Sequence, residues 1–255
     1  MRRVIITGAS SGIGAALARH YAASAAILGL MARRETALQE LAAQLRVPVQ
    51  IFPVDVRDAT AMRNAAAAFM AHHGCPDVVI ANAGVSTGTL TELPEDLRAF
   101  QDVLDINVIG MVNTFQPFIA AMREAGCGTL VGVTSVAGYR GLPGAAAYSA
   151  AKAAAISYLE SLRVELRASG IKVITICPGY IATPMTAQNP YPMPFMLSAD
   201  RAARLMANII DRGRTFAVIP WQMAIVARVL RVLPNWLYDR LFANAPRKPR
   251  RVHKA

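Results

Sequence analysis

Seven short runs of mainly apolar, often β-branched residues punctuate this chain, at Arg3–Thr7, Ala26–Ala32, Val49–Val54, Asp77–Ala81, Thr129–Thr134, Lys172–Cys177 and Thr215–Ile219. Most are continuously apolar rather than alternating, the pattern of parallel strands covered on both faces. Between them lie Ala-rich stretches of helical period, which predict helices over Ile13–Ala22, Arg34–Leu45, Ala59–Ala71, Asp96–Glu124, Tyr148–Ala168 and Ala199–Arg212. Ser198 is placed to cap the last of these and Gly213 to follow its end. Strands and helices in strict alternation imply right-handed βαβ crossovers. The expected fold is α/β: a Rossmann-type, doubly wound, parallel seven-stranded sheet in a single domain, with a helical appendage at the C-terminal end.

With 255 residues, 54% hydrophobic and 17% charged, the chain suits one large domain with a substantial core and excludes wholesale disorder. The expected division is a catalytic domain over 1–220 and an amphipathic, basic extension over 221–255. Charge supports that division. The formal net charge is +11, yet residues 212–255 hold ten Lys or Arg against Asp239 alone, leaving the body nearly neutral. Cys75, Cys127 and Cys177 are widely spaced and the four histidines form no ligand motif, so no metal is expected. Met1-Arg2-Arg3 is followed by too short an apolar run for a signal peptide. Pro220, Gln222, Arg228 and Arg231 break the apolar stretch over Thr215–Leu233, so it is not read as a membrane span. A cytoplasmic protein is expected.

Thr7-Gly8-Ala9-Ser10-Ser11-Gly12-Ile13-Gly14 joins the first strand to the first helix. Glycines at this junction allow a tight turn and let a pyrophosphate approach the backbone N–H groups at a helix N-terminus. A dinucleotide site follows, with Gly8, Ser10, Ser11, Gly12, Ile13 and Gly14 around the phosphates. Strand two ends Met31-Ala32-Arg33-Arg34, where an NAD site would place a carboxylate for the ribose hydroxyls. Guanidinium groups there suit a 2′-phosphate instead, so NADP is favoured over NAD, with Arg33 preferred to Arg34. Asp55-Val56 and Asn82-Ala83-Gly84 follow strands three and four, where ligands bind in open α/β sheets.

Tyr148-Ser149-Ala150-Ala151-Lys152 opens a long helix and sets a tyrosine and a lysine on one face. Tyrosine ordinarily titrates near pH 10 and is a poor base at neutrality. A neighbouring ammonium, with the positive nicotinamide of an oxidised cofactor, is expected to lower that value.

Taken together, TGASSGIG at 7–14, DV at 55–56, NAG at 82–84, Asn107, Ser135, YxxxK at 148–152 and Pro178-Gly179 resemble the short-chain dehydrogenase/reductase superfamily, over roughly residues 3–185. The resemblance implies Tyr148 as general acid/base, Lys152 as its tuner and ribose ligand, and Ser135 as the hydrogen-bond partner of the substrate oxygen. It implies Asn107 as holder of a relay water, Asp55 and Val56 beside the adenine, and Asn82, Ala83 and Gly84 beside the inner ribose. Pro178, Gly179, Ile181 and Thr183 would border the nicotinamide. A basic residue just past strand two, as Arg33 here, is one marker of NADP use in such proteins. A basic residue in the glycine turn, where this chain has Ser11, is the other. The implied activity is interconversion of a carbonyl and a secondary alcohol in a homo-oligomer, a dimer or tetramer. The alternative is a non-catalytic NADP sensor or a membrane-associated binding module.

The segment Tyr180–Leu197 would choose the substrate. It carries Met185, Tyr191, Met193, Phe195 and Met196 and no Lys or Arg, which suits an apolar small molecule. In the extension, Ile225, Val226, Val229, Leu230 and Leu233 share one helical face and Ala224, Ala227, Arg228 and Arg231 the other. Trp221 and Trp236 flank these pieces, and five of the last ten residues are Lys or Arg. Two readings follow: peripheral contact with an anionic membrane, at its inner face, or helices packed on the domain with a solvated terminal decapeptide. Without a base-reading motif the charge does not indicate nucleic acid.

Overall fold

The computed structural model describes residues 1–24 and 26–250. Seven strands form one all-parallel sheet: β1 (Arg3–Thr7), β2 (Ile27–Ala32), β3 (Val49–Pro53), β4 (Val78–Ala81), β5 (Gly128–Val133), β6 (Ile171–Pro178) and β9 (Phe216–Ile219). Their order is β3-β2-β1-β4-β5-β6-β9, so winding reverses between β1 and β4. Ligand crevices in doubly wound sheets open at such a reversal, outside the carboxyl ends of the strands.

The apolar runs are continuous because both sheet faces are covered. Val4 and Ile6 of β1 face α1 (Gly12–Ala22), α2 (Glu35–Ala43) and α7 (Ala199–Asp211), while Ile5 faces the layer opposite. That layer is α3 (Ala59–His73), α4 (Asp96–Leu104), α5 (Gly110–Glu124) and α6 (Ala146–Glu165). Ser198 caps α7 through the Arg201 N–H at 3.3 Å, and Gly213 past its end takes φ 62°, as the sequence predicts. Asp58 likewise caps α3 through the N–H groups of Thr60 and Ala61, both at 2.9 Å.

One predicted helix is not continuous. Between α4 and α5 the chain widens into a π turn at Asp105–Ile109. The Asn107 side-chain amide donates to Val103 O at 2.8 Å, taking the carbonyl that an α-helix would offer to its own backbone N–H. Such turns commonly mark functional positions. By length and composition Asp96–Glu124 could cross a membrane, but half of its apolar window is buried inside the fold, and it forms part of the layer over the sheet.

One further piece was not foreseen, and another takes the helical form the sequence leads one to expect. β7 (Ile181–Ala182) pairs with β8 (Leu197–Ser198) and closes the substrate segment into a loop. The extension forms α8 (Trp221–Val232) and α9 (Asn235–Phe242), both docked on the body. Arg140 fastens them: it donates to Leu230 O at 3.0 Å, Leu233 O at 2.6 Å and Asn235 Oδ1 at 2.8 Å, and lies 4.2 Å over the Tyr238 ring. A cation at the carbonyl end of α8 satisfies groups that the helix leaves unpaired.

The docked face is not the one the pattern favours. Met223 and Ala227 are buried, whereas Ile225 and Val229 are exposed together with Trp221 and Val232. The small Ala227 permits the close approach, and Ile225 and Val229 of the branched stripe stay outside. Residues 247–250 are not a solvated end either, since they fold back over the body. The rest of the expected basic terminus, 251–255, lies outside the described residues.

Candidate active site

Thr7 ends β1 and ties it to the β4 loop. Its hydroxyl accepts from the backbone N–H of Asn82 at 3.1 Å and of Ala83 at 3.2 Å, while Asn82 Nδ2 donates to Thr7 O at 3.0 Å. The glycine turn then bends through left-handed φ at Gly8 (65°) and Gly12 (56°), conformations that side chains disfavour. Gly14 serves a different need: a Cβ there would overlap the Gly8 carbonyl. Absence of that methyl lets α1 press against the turn and aim its first N–H groups into a cavity of about 360 Å³.

Of the site residues named from sequence, all but Gly14 border this one cavity. At its adenosine end lie Arg33, Arg34, Asp55 and Val56. Arg34 donates to Ser10 O at 3.2 Å and to Ser10 Oγ at 3.1 Å, so it grips the glycine turn itself. Arg33 is also exposed and stands 3.9 Å from Asp55. The Asp55 carboxylate is held by Arg57, whose Nη2 is 2.8 Å from Oδ2 and which also reaches Asp102 at 2.9 Å. Burial alone would raise the Asp55 carboxyl, but the bonds and charge of Arg57 outweigh it and hold it below the usual range. Arg57 lay outside the sequence prediction; only its spacing two residues past Asp55 could have signalled it.

At the other end stand Ser135, Tyr148, Lys152 and Asn107. Ser135 leaves β5 and caps a short 3₁₀ turn, accepting from Ala137 N–H at 3.1 Å. Tyr148 and Lys152 project from the first turns of α6, with the ammonium 5.7 Å from the Tyr148 ring centroid. Lys152 is only 4% exposed, and its Nζ donates to Val133 O at 3.0 Å. Burial lowers it from 10.5 to about 8. The Tyr148 phenol moves up in the protein alone, where the nicotinamide charge that the expected lowering counts on does not act. Burial raises it, and the hydrogen bond with Ser135 offsets only part of that rise. Removal from water disfavours phenolate and ammonium alike, and among the protein's own groups this outweighs their mutual attraction.

Asn107 hangs from the π turn with its amide nitrogen committed to Val85 O at 2.9 Å and Val103 O. Its Oδ1 is buried without a partner, close to Gly84, where a Cβ would come within 2.8 Å of it and 3.6 Å of Lys152 Nζ. A buried acceptor left open beside a buried ammonium suits an ordered water or a ligand hydroxyl. Cys177 lies beneath, 2.9 Å from Thr134 Oγ1, its thiol raised to about 11 by burial.

Pro178 ends β6 and Gly179 follows it, its N–H donating to Ile219 O at 2.7 Å. Ile181 is buried and Thr183 closes over the glycine turn, its methyl 3.1 Å from where a Gly12 Cβ would stand. Thr186, which the sequence did not single out, pins that loop by accepting from Thr183 N–H at 3.0 Å and donating to Ile181 O at 2.6 Å. Of the five apolar residues expected to shape the substrate pocket, Met185 lines the cavity. Phe195 and Met196 are exposed instead, because the pairing of β7 with β8 carries them outward.

These residues fit a nicotinamide dinucleotide at both ends: a helix N-terminus with a glycine cradle for the phosphates, and an open acceptor beside a buried cation for hydroxyl groups. Comparison with known proteins agrees. Residues 2–192 match the family model described as short chain dehydrogenase. An uncharacterised oxidoreductase of Myxococcus xanthus is 40% identical over 241 residues, covering 93% of this chain and 95% of the relative. One from Mycobacterium tuberculosis is 35% identical over 248 residues, covering 94% and 96%. Among solved structures, levodione reductase superposes with a TM-score of 0.80 at 27% identity, over 88% of this chain and 98% of that one. An alcohol dehydrogenase from the archaeon Thermococcus sibiricus, complexed with 5-hydroxy-NADP, gives 0.73 at 27% identity, over 83% and 91%. The chain belongs to the short-chain dehydrogenase family and is an oxidoreductase of its NAD(P)-dependent kind.

Proposed function

We propose that the protein is an NADP-dependent oxidoreductase that interconverts a carbonyl and a secondary alcohol on a mainly apolar small molecule. One observation carries the reading: Ser135, Tyr148 and the buried Lys152 converge on a single cavity whose far end is a phosphate cradle. The cofactor, when bound, supplies or accepts the hydride at the carbonyl carbon. Tyr148 donates its phenolic proton to the carbonyl oxygen in reduction and takes the hydroxyl proton in oxidation, work typically worth about 10²–10⁴-fold in rate. Ser135 holds the substrate oxygen against Tyr148. Lys152 orients the ribose hydroxyls and keeps a positive charge beside the phenol, and Asn107 Oδ1 holds a water through which the proton is replaced. Burial raises the Tyr148 phenol, so in the protein alone it rests protonated at neutrality, with its proton available to the carbonyl oxygen.

Arg33 and Arg34 support NADP because both cations stand at the adenosine rim, with Arg34 already bound to the glycine turn. The neighbour complexed with 5-hydroxy-NADP agrees with this choice. The test is NADPH absorbance against a panel of ketones, aldehydes, quinones and steroid-like carbonyls, repeated with NADH. Consumption of NADPH with apolar ketones is expected; a preference for NADH, or activity confined to small polar sugars, would overturn the respective part.

A second element concerns the extension over 221–255, beyond the catalytic domain over 1–220. Trp221 (68% exposed), Ile225, Val229 and Val232 (79%) lie outward on α8 with Arg228 also exposed there, and Trp236 (69%) is exposed on α9. Such a surface suits peripheral contact with anionic lipid. Co-sedimentation with anionic vesicles at low salt is expected, and recovery equal to that with neutral vesicles would refute it. Exposed Leu97, Ile109 and Val164 on the helices at Asp96–Glu124 and α6 likewise support a homo-oligomer, which light scattering would reveal.

A further inference from the structure

Beyond α9 the chain does not run off into solvent. It packs between two loops near Tyr148: 86–89, which follows Asn82-Ala83-Gly84, and 144–145, which leads into the helix carrying Tyr148. Gly88 N–H donates to Pro249 O at 2.9 Å, and Gly88 and Arg250 form a parallel β-bridge. Thr89 bridges to Ala145 in the same way, so the two loops and the returning chain make one small three-part patch.

Both loops leave room for this crossing. A Cβ on Gly88 would overlap the Lys248 carbonyl, and one on Gly144 would come within 2.8 Å of the Arg247 side chain. Side-chain contacts then fix the segment at two points. Lys248 Nζ is 2.8 Å from Ser86 Oγ and 5.8 Å from the Tyr148 ring centroid. Arg250 makes a paired contact with Asp96, Nε to Oδ2 at 2.8 Å and Nη2 to Oδ1 at 3.0 Å, and reaches Glu95 Oε1 at 3.0 Å. Asp96 is 3% exposed and also accepts from Leu90 N–H at 2.8 Å. A carboxylate that deeply buried requires a cation, and the chain supplies it from a residue 154 positions later.

We propose that residues 247–250 are a strap that walls the substrate side of Tyr148, and that the Arg250–Asp96 clasp holds it there. The strap makes the C-terminal segment a specificity determinant: small carbonyls reach Tyr148 beneath it, and bulky ones are excluded. What the strap selects rests on the proposed reductase activity, whereas its closure does not.

Three variants test it: removal of residues 246–255, Arg250→Met, and Gly88→Ala, which displaces the strap while keeping both residues of the ion pair. Amide hydrogen exchange over 86–90 and 144–149 is read first, and it needs no substrate. An increase of about tenfold or more is expected in all three variants, with NADPH affinity within about twofold of the parent, since the cofactor cradle lies elsewhere. The kcat/KM for bulky ketones is expected to rise about tenfold relative to small ones. Unchanged exchange, or equal gains for small and bulky carbonyls, would overturn the proposal. A parent with no turnover on any carbonyl would count against the catalytic reading, while the exchange data would still decide closure of the strap.

Discussion

Replacing Lys152 with methionine, which preserves the apolar stem, isolates the energetic consequence of burying this ammonium. The side chain is 4% exposed and titrates at about 8 instead of 10.5. Below about pH 8 both folded and unfolded chains carry the proton, and the folded chain bears the full desolvation, about 3 kcal/mol. Between about pH 8 and 10.5 the unfolded chain binds more protons, so stability rises with pH. From about pH 7 to 9 this single group adds about 1.3 kcal/mol. The window should stop there, because Cys177, raised to about 11, pulls the other way above about pH 9. At neutral pH the variant gains from losing the charge and loses the donor to Val133 O, about 1–3 kcal/mol, so its absolute stability is a poor guide. The slope is the readout. Urea unfolding at about pH 7, 8 and 9 should show the parent gaining about 1 kcal/mol more than Lys152→Met. Parallel lines for the two proteins would refute the buried, partly neutralised lysine.

Gly14→Ala forces α1 away from Gly8, and overpacking of this kind costs about 1–3 kcal/mol; NADPH affinity should fall about tenfold or more by fluorescence titration although Gly14 does not line the cavity. Arg34→Ala removes the guanidinium bound to Ser10 and should cut the NADPH-over-NADH ratio of kcat/KM by about tenfold with NADH kinetics nearly unchanged. Arg140→Met strips the cation from the carbonyl end of α8, and calorimetry should register a Tm loss of about 2–8 °C.

The sheet was legible because most of its strands are continuous apolar runs, the pattern that burial on both faces demands. The glycine turn and the residues after β3 and β4 were legible because strand order alone brings those loops to one crevice. What escaped depended on contacts made at a distance. The π turn follows from where the Asn107 amide finds acceptors, which no helical period encodes. The extension was recognisably amphipathic, but its inner face is set by Ala227 and by Arg140, about ninety residues earlier. The expected lowering of Tyr148 counts on the nicotinamide charge as well as Lys152, and the sequence does not encode how deeply the fold desolvates both groups, which burial shifts in opposite directions. Five basic residues at the terminus read as a charge run, yet Lys248 and Arg250 have acceptors in Ser86, Glu95 and Asp96.

The most direct measurement is single-turnover reduction of an apolar ketone by NADPH in the parent and in Tyr148→Phe, with cofactor affinity measured on both. Phenylalanine keeps the ring and removes the hydroxyl whose proton is to be delivered to the carbonyl oxygen. A rate loss of about a hundredfold or more, at NADPH affinity within about twofold of the parent, is predicted. A Tyr148→Phe protein that reduces the ketone as fast as the parent would contradict the proton-transfer role of Tyr148 and the proposed mechanism with it.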